Sequence, residues 1–400
     1  MNRLVWTGSQ PITPDQLPPA RRSGGGPARI LFIHGMEYGF RTTAGQLEKY
    51  CAGRPDIDAV HACLPLPVWA RALGKELPKA LRGWDFHNTR MTWAFGRFVG
   101  AAMRRNFPLD RFDVVHIMTR ERAGFLRRPP GRRPASPKFV VNVDTTLLSW
   151  DRAYQITRTA PKVDYATDRR VLRAADAVAF ATRWAMQSGI DDYGLDPARC
   201  ILHMPCVPMT GLARTPGSRR EGPLRIVFIG NDWERKGGPR LLAWHQERWA
   251  DLFELHICSA RAPAAPTAQA VVWHGAVPHD RLVRELLPDM DLCVIPTWED
   301  TFLIAAQEAQ AAGLPVVTSR LAGIPENVAH GVTGLLVDRA DDAGFINAIE
   351  RLLKDDALRS RMSAAAVEHV RRNLNAATWH NRLLDHLVAL AGETPPAPSR

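Results

Sequence analysis

Val294–Glu326 reads VIPTWEDTFLIAAQEAQAAGLPVVTSRLAGIPE, and the fold is decided by how this stretch is read. Asp291 to Pro296 (DLCVIP) is a short apolar run closed by proline, the pattern of a buried strand that stops there. Phe302 to Ala312 (FLIAAQEAQAA) is rich in strong helix formers, carries Asp300 and Thr301 at its start and is closed by Gly313 and Pro315, which predicts a helix. Leu314 to Thr318 then returns as a second buried strand. Strand, tight acidic turn, helix and strand make a βαβ unit, and ligands of such sheets sit outside the carboxyl ends of the strands. Asp300 and Glu308 therefore border the expected site. If the helix is regular, their spacing is roughly 12 Å, too far to serve one atom but suited to two ends of one long ligand. The helix N-terminus between them offers unpaired N–H groups and a positive dipole end, which suit a phosphate. A nucleotide sugar has that layout. The same residues also allow a purely structural reading, with Asp300 capping the helix and Glu308 solvated on it.

Asp300-x7-Glu308 followed by AQAAGLPVV resembles the motif of the retaining GT-B glycosyltransferases of family 4, also called group 1, in which Glu-x7-Glu precedes Ala-x-x-x-Gly-x-Pro-Val. The resemblance implies an α/β chain with the GT-B fold: two facing Rossmann-like domains, an interdomain cleft, and a C-terminal helix crossing back to the first domain. It implies that Asp300 meets hydroxyls of the donor sugar, that Phe302 and Leu303 present backbone N–H groups to it, and that Glu308 binds the nucleotide ribose. Glu299 and Thr301 flank Asp300 and join the expected donor site. Aspartate stands where the family has glutamate. One methylene less brings the sugar closer, or hands the role to Glu299, or marks a site whose use has changed.

Four hundred residues, 46% of them hydrophobic, suffice for two domains with separate cores. Cys51, Cys63, Cys200, Cys206, Cys258 and Cys293 form no C-x-x-C pair, so neither a zinc site nor a disulfide framework is expected. No apolar run approaches the ~18 residues of a spanning helix, and Met1–Leu17 lacks the charged-then-apolar order of a signal peptide. A cytoplasmic protein is expected. Residues 1–210 hold 31 Lys plus Arg against 18 Asp plus Glu, and the remainder 21 against 23. An anionic partner is therefore expected on the first half. The Arg runs lack the interleaved aromatics of a base-stacking surface, which argues against nucleic acid.

Residues 1–28, with several prolines and the run RRSGGGP, are expected to be a flexible lead-in. Residues 29–205 form the expected acceptor domain. Arg29–His34 (RILFIH) is its first buried strand, followed by a loop in which Gly35 and Gly39 let backbone approach a phosphate, then by a helix over Thr42–Cys51. This spacing matches neither G-x-G-x-x-G nor G-x-x-x-x-G-K-[ST]. Asp85–Phe107 predicts a helix with Met91, Phe95, Phe98, Val99 and Ala102 on one face and Arg90, Arg97 and Arg104 at seven-residue intervals. The pattern suits a helix on an anionic membrane surface and equally a surface helix of a basic domain. Phe112–Met118 and Lys138–Val143 read as strands separated by a basic loop, ERAGFLRRPPGRRPAS, expected to face the acceptor. Relatives carry a His-Asp pair after the second strand. Here Asp144 stands without the histidine, and the resemblance implies that it activates the acceptor.

Strands at Asp176–Thr182 and Arg199–Pro205 lead to a Pro-, Gly- and Arg-rich linker over residues 206–223. The donor domain is expected over 224–375, a helix returning to the first domain over 376–391, and a disordered tail over 392–400. Leu224–Gly230 opens the donor domain, followed by a charged loop, NDWERKGG, and a helix starting near Pro239. In similar enzymes this loop carries an Arg and a Lys on the donor diphosphate. Lys236 keeps its spacing from Gly230, Asn231 replaces the Arg, and Arg235 is placed to supply the charge. Asp289-Met290-Asp291 has the D-x-D form of a manganese site, yet lies at the start of a strand, away from the ligand end, and no metal site is expected. His274 reads as packed.

The resemblance thus implies a metal-independent hexosyltransferase using a UDP- or GDP-linked sugar, with a glycan or lipid-linked acceptor from bacterial cell-surface synthesis and no cofactor. Asp300, Glu308 and Lys236 would carry the chemistry. Its setting would be the cytoplasmic face of the inner membrane. Two rivals stay open: a sugar-nucleotide epimerase or hydrolase of the same fold, and a scaffold that binds donor without turnover.

Overall fold

The computed structural model describes residues 2–5, 26–35, 40–75, 86–126, 137–154, 162–206, 208, 222–261 and 269–392. Two compact units account for the chain: Met1–Met204 with Trp379–Arg400, and Pro205–Thr378. In the first, the strands are β1 (Asn2–Val5), β2 (Ala28–His34), β3 (Ile57–Cys63), β4 (Val114–Met118), β5 (Lys138–Val143), β6 (Ala177–Phe180) and β7 (Cys200–Leu202). Its helices are α1 (Phe40–Ala52), α2 (Val68–Leu73), α3 (His87–Asn106), α4 (Leu147–Tyr154), α5 (Lys162–Ala174) and α6 (Arg183–Asp191). In the second unit, the strands are β8 (Leu224–Ile229), β9 (Phe253–Cys258), β10 (Val271–Trp273), β11 (Leu292–Ile295), β12 (Val316–Ser319) and β13 (Gly334–Val337). Its helices are α7 (Gly238–Arg248), α8 (His279–Arg281), α9 (Ile304–Ala311), α10 (Ile324–Asn327), α11 (Asp342–Lys354) and α12 (Asp356–Asn373). The last helix, α13 (Ala376–Gly392), belongs from Trp379 onward to the first unit.

Both sheets are wholly parallel, in the orders β1-β3-β2-β4-β5-β6-β7 and β10-β9-β8-β11-β12-β13. The second order is that of doubly wound nucleotide-binding sheets. Parallel strands are covered on both faces, so their sequences are near-continuous apolar runs, as in LFI and CVI. On one face of the first sheet, Leu31, Ile33, Val115, Ile117 and Val141 pack against Val99 and Met103 of α3 and Leu172 of α5. On the other, Ile30, Phe32, Val114 and Val140 meet Leu47 of α1 and Leu383, Leu384 and Leu387 of α13.

The halves repeat a local device. In RILFIH the Arg29 amide donates to Asp113 Oδ2 at 3.0 Å, and in RIVFIG the Arg225 amide donates to Asp291 Oδ2 at 2.9 Å. Each aspartate precedes the neighbouring strand and stitches its start to the first strand of the unit. Asp291 of the D-x-D triplet is thus a strand-end staple, and Asp289 lies 3.6 Å from Arg225.

Several expectations change. Asn2–Val5, read as part of a flexible lead-in, pairs in parallel with Ala59–Ala62 as an edge strand. β3 escaped the sequence reading because Asp58 and His61 interrupt its apolar run, yet all seven of its residues are buried. Most of the expected linker, and residues 393–400 of the expected tail, lie outside the described residues, as does Gly39. Within the expected basic loop, Arg122–Phe125 forms a 3-10 turn with Arg122 and Ala123 buried, and residues 127–136 lie outside the described residues. The six cysteines are free, five of them buried, and burial pushes the Cys51 and Cys258 thiols up to about 12. Among the described residues, no helix is long and apolar enough to cross a membrane.

Candidate active site

The order of the second sheet reverses between β8 and β11, the place where a crevice opens beyond the strand ends. The two loops leaving that point are Gly230–Gly237, which leads into α7, and Pro296–Leu303, which leads into α9. They are bound to each other. The Trp298 amide donates to Arg235 O at 2.8 Å, Arg235 Nη1 donates to Glu299 O at 2.5 Å, and the buried Thr297 hydroxyl reaches Arg235 O at 3.2 Å. Gly237 has φ +78°, and a Cβ there would lie 2.1 Å from Pro296 O. Gly237→Ala is therefore expected to lower stability by at least about 1–2 kcal/mol from the left-handed backbone alone, measured by urea unfolding. An unchanged midpoint would show that the two loops are not held together there.

Asp300 is the centre of this junction. Its Oδ1 accepts from the Leu303 amide at 2.8 Å and the Phe302 amide at 3.2 Å. Its Oδ2 forms an ion pair with Lys236 Nζ and lies 3.6 Å from Arg235 Nη1. Burial pushes the Asp300 carboxyl up, but Lys236, then Arg235 and the Leu303 amide, outweigh it and hold the group below the ordinary carboxylate range. Although adjacent in sequence, Arg235 and Lys236 both turn to Asp300. Two cations and two N–H groups thus surround one internal anion.

The Phe302 and Leu303 amides serve the Asp300 side chain rather than standing open for a sugar, because an aspartate is short enough to fold back onto amides two and three residues ahead. The helix consequently begins at Ile304 instead of Phe302. Leu303 is left-handed, with φ 63° and ψ 69°, a conformation disfavoured for leucine. Buried Asn327 holds it there, donating from Nδ2 to Phe302 O at 2.8 Å and Leu303 O at 2.9 Å. Gln310 of α9 braces Asn327 Oδ1 at 3.2 Å. No local signal marks Asn327, since these partners lie 17 to 25 residues away.

Glu308 is buried rather than solvated, and its Oε1 lies 2.9 Å from His279 Nε2. That hydrogen bond raises the imidazole above its ordinary pKa, with partial burial opposing it. Twenty-nine residues separate the two, so no local pattern in the sequence announces this pairing. Asn231 is exposed and accepts from the Ala260 amide at 3.2 Å, so it engages that turn instead of the Lys236–Asp300 pair. Glu299 contributes its carbonyl to Arg235, and the Thr301 carbonyl accepts from the Gly323 amide at 2.9 Å. His274 packs beside His256, 3.0 Å between ring nitrogens.

In the first unit the strand order reverses between β2 and β4. Gly35 is buried at the end of β2, and Thr119, at the end of β4, has φ 88°, a strained value for a β-branched residue. Next to it Arg120 donates to Thr145 O at 2.5 Å and to Glu121 Oε1 at 3.0 Å. Asp144 is exposed immediately after β5. Arg90, expected on the acceptor side, instead donates to Leu73 O at 2.6 Å and Lys75 O at 3.0 Å, closing the end of α2. Arg97 and Arg104 are exposed on α3. The face α3 buries runs through Thr92, Gly96, Val99, Gly100 and Met103, while Met91, Phe95 and Phe98 are only half-buried.

Known proteins resemble this chain in sequence and in fold. The family model described as Glycosyl transferases group 1 matches residues 223–355, which include both loops of the site. D-inositol 3-phosphate glycosyltransferase of Corynebacterium aurimucosum is 42% identical over 299 residues, covering 67% of this chain and 69% of that protein. Among solved structures, sucrose-phosphate synthase from Thermosynechococcus elongatus superposes with a TM-score of 0.68 at 15% identity, over 90% of this chain and 99% of the other. Anabaena HepE in complex with UDP and glucose gives 0.63 at 12% identity, over 90% and 100%. The two structural likenesses are of fold, and the Corynebacterium relative carries the family assignment. This chain belongs to the group 1 glycosyltransferases and has their GT-B fold.

Proposed function

We propose that the protein moves a hexose-type sugar from a UDP- or GDP-linked donor to a hydroxyl of a glycan or lipid-linked acceptor, retaining anomeric configuration and using no metal or cofactor. The observation that carries this reading is the convergence of Lys236, Arg235 and the head of α9 on one anion at the sheet's switch point. A donor diphosphate brings negative charge to the same place, and charge on it grows as the sugar–oxygen bond breaks. Lys236 then stabilises the departing group, and an acceptor proton passes to a diphosphate oxygen on the same face. Glu308, whose carboxylate accepts hydrogen bonds, is placed to take ribose hydroxyls, with His279 steadying it. Asp300 turns toward sugar hydroxyls once the diphosphate has claimed Lys236.

The solved HepE complex with UDP and glucose supports a UDP-linked donor. The Corynebacterium relative, named for D-inositol 3-phosphate, supports a phosphorylated polyol as an acceptor alongside glycans and lipid-linked sugars. The basic first half supports a cytoplasmic enzyme that meets its acceptor at an anionic membrane surface, as in lipopolysaccharide or polysaccharide synthesis. A second reading, donor binding without turnover, draws on the occupation of the Phe302 and Leu303 amides by Asp300.

The test is nucleotide diphosphate release from UDP-, GDP- and ADP-sugars, with and without bacterial lipid extract or a soluble phosphorylated polyol. Wild type is compared with Glu308→Ala and Lys236→Ala. Release that needs an acceptor and is lost in both variants supports the transferase and names its donor. Release without acceptor indicates hydrolysis, and donor binding with no release indicates the scaffold.

A further inference from the structure

A cavity of about 280 Å³ opens in the first unit between α3, α5 and the Arg122–Phe125 turn. It is lined by Thr89, Trp93, Arg97 and Arg104 of α3, Gly124 and Phe125 of the turn, and Thr167 and Arg170 of α5. Three arginines line it and no acidic residue does, among the described residues.

Glycine builds the groove. A Cβ on Gly96 would lie 2.6 Å from Gly124 Cα, one on Gly124 2.2 Å from Thr92 O, and one on Gly100 2.8 Å from Phe125 Cβ. Only glycine lets the turn lie this close on α3, and that approach sets Phe125 against the groove. The same turn fixes Arg170, whose guanidinium donates to Leu126 O at 3.0 Å and Gly124 O at 3.3 Å. Thr89 is engaged below, its amide donating to buried Asp164 Oδ1 at 2.9 Å. Its hydroxyl gives its one proton to Asp164 Oδ1 as well, so toward Thr167 Oγ1, 3.3 Å away, it can only accept.

Arg97 and Arg104 form no ion pair or hydrogen bond with the described residues. Arg97 lies over the Trp93 ring, 5.6 Å from its centroid, which orients its fork. Trp93 is 55% exposed, an unusual position for so large an apolar surface unless something covers it. Like charges gathered along one groove repel, and an anion relieves that repulsion. Guanidinium forks match the oxygens of a phosphate, and the indole offers a flat wall for the body that carries it. The volume is at the small end for ligand pockets, enough for a head group or a small phosphorylated polyol.

We propose that the groove between α3 and α5 binds a phosphate ester, held by Arg97, Arg104 and Arg170 with Trp93 against the attached group. The site lies wholly in the first unit and stands apart from the donor reading. A soluble phosphomonoester and a phospholipid head group share this chemistry. Calorimetry with inorganic phosphate and glycerol 3-phosphate tests the first source. Co-sedimentation with phosphatidylcholine vesicles, with and without phosphatidylglycerol, tests the second. Arg97→Ala/Arg104→Ala is expected to weaken whichever binding is seen at least tenfold, with an unchanged thermal unfolding midpoint. Arg71→Ala/Arg105→Ala removes equal charge from exposed positions outside the lining and is expected to bind as wild type. Absence of binding in every arm, or equal loss in both double variants, would overturn the proposal.

Discussion

Lys236→Ala is expected to slow nucleotide diphosphate release about a hundred- to a thousandfold at saturating donor, the range seen when one preorganised charge-stabilising donor is removed from an enzyme site. The lysine is largely enclosed, its side chain 13% exposed, so water substitutes poorly for it. The substitution has a second consequence, because it leaves the Asp300 carboxylate with two amides and an Arg235 nitrogen 3.6 Å away. Breaking a buried pair from one side costs about 3–5 kcal/mol where nothing else compensates, and Arg235 should hold the loss below that. Lys236→Ala/Asp300→Asn separates the two effects. It should recover stability in urea unfolding without recovering rate. A Lys236→Ala enzyme within tenfold of wild type would remove the lysine from the reaction.

Acid should unfold the first unit well before its carboxylates are protonated. His34, His61, His116, His203 and His380 are all buried in it. Burial holds His61 and His380 down to about 4 and His116 to about 3, and it also depresses His34 and His203, helped by neighbouring histidines and, for His34, by Arg122. The rings form two pairs, His34 Nε2 with His61 Nδ1 at 2.9 Å and His203 Nε2 with His380 Nδ1 at 3.1 Å. Each pair needs one nitrogen without a proton.

The unfolded chain takes up protons near pH 6.5 and the folded one does not, so stability is full above about 6.5 and falls as pH drops below it. At pH 5 the loss is about 2 kcal/mol for each of His61, His116 and His380, or about 6 together. That is comparable with the roughly 5–15 kcal/mol typical of a whole domain. Urea unfolding across this window should show a steep decline, and a flat profile would mean that the rings are hydrated. Neither nitrogen of His116 has a hydrogen-bond partner among the described residues, so His116→Phe should keep the packing on Phe32 and shallow the decline.

The βαβ unit around Asp300 was legible because apolar runs, helix formers and Gly or Pro punctuation all act within a few residues. What escaped depends on partners far along the chain. Lys236 and Asp300 are 64 residues apart, His279 and Glu308 are 29, and Asn327 reaches back to a leucine whose left-handed backbone leucine itself does not favour. Arg90, Arg97 and Arg104 look equivalent by spacing. Carbonyls at the end of α2 claim the first, and only the glycine contacts of α3 show what surrounds the other two. β3 was lost for the converse reason: its polar residues are buried by the tertiary fold, which local patterning does not report.

The first unit is assembled from two distant parts of the chain, and this has a consequence for its birth on the ribosome. Leu383, Leu384 and Leu387 cover one face of its sheet, yet they are made after the whole second unit. At translation speeds of 5–20 residues per second, the wait between Met204 and α13 is roughly ten to thirty seconds. Throughout that interval Ile30, Phe32, Val114 and Val140 lack part of their cover. The nascent chain thus carries an apolar face that stays partly open while the second unit is made, and a gene cut after the second unit yields a first unit with a greasy open side.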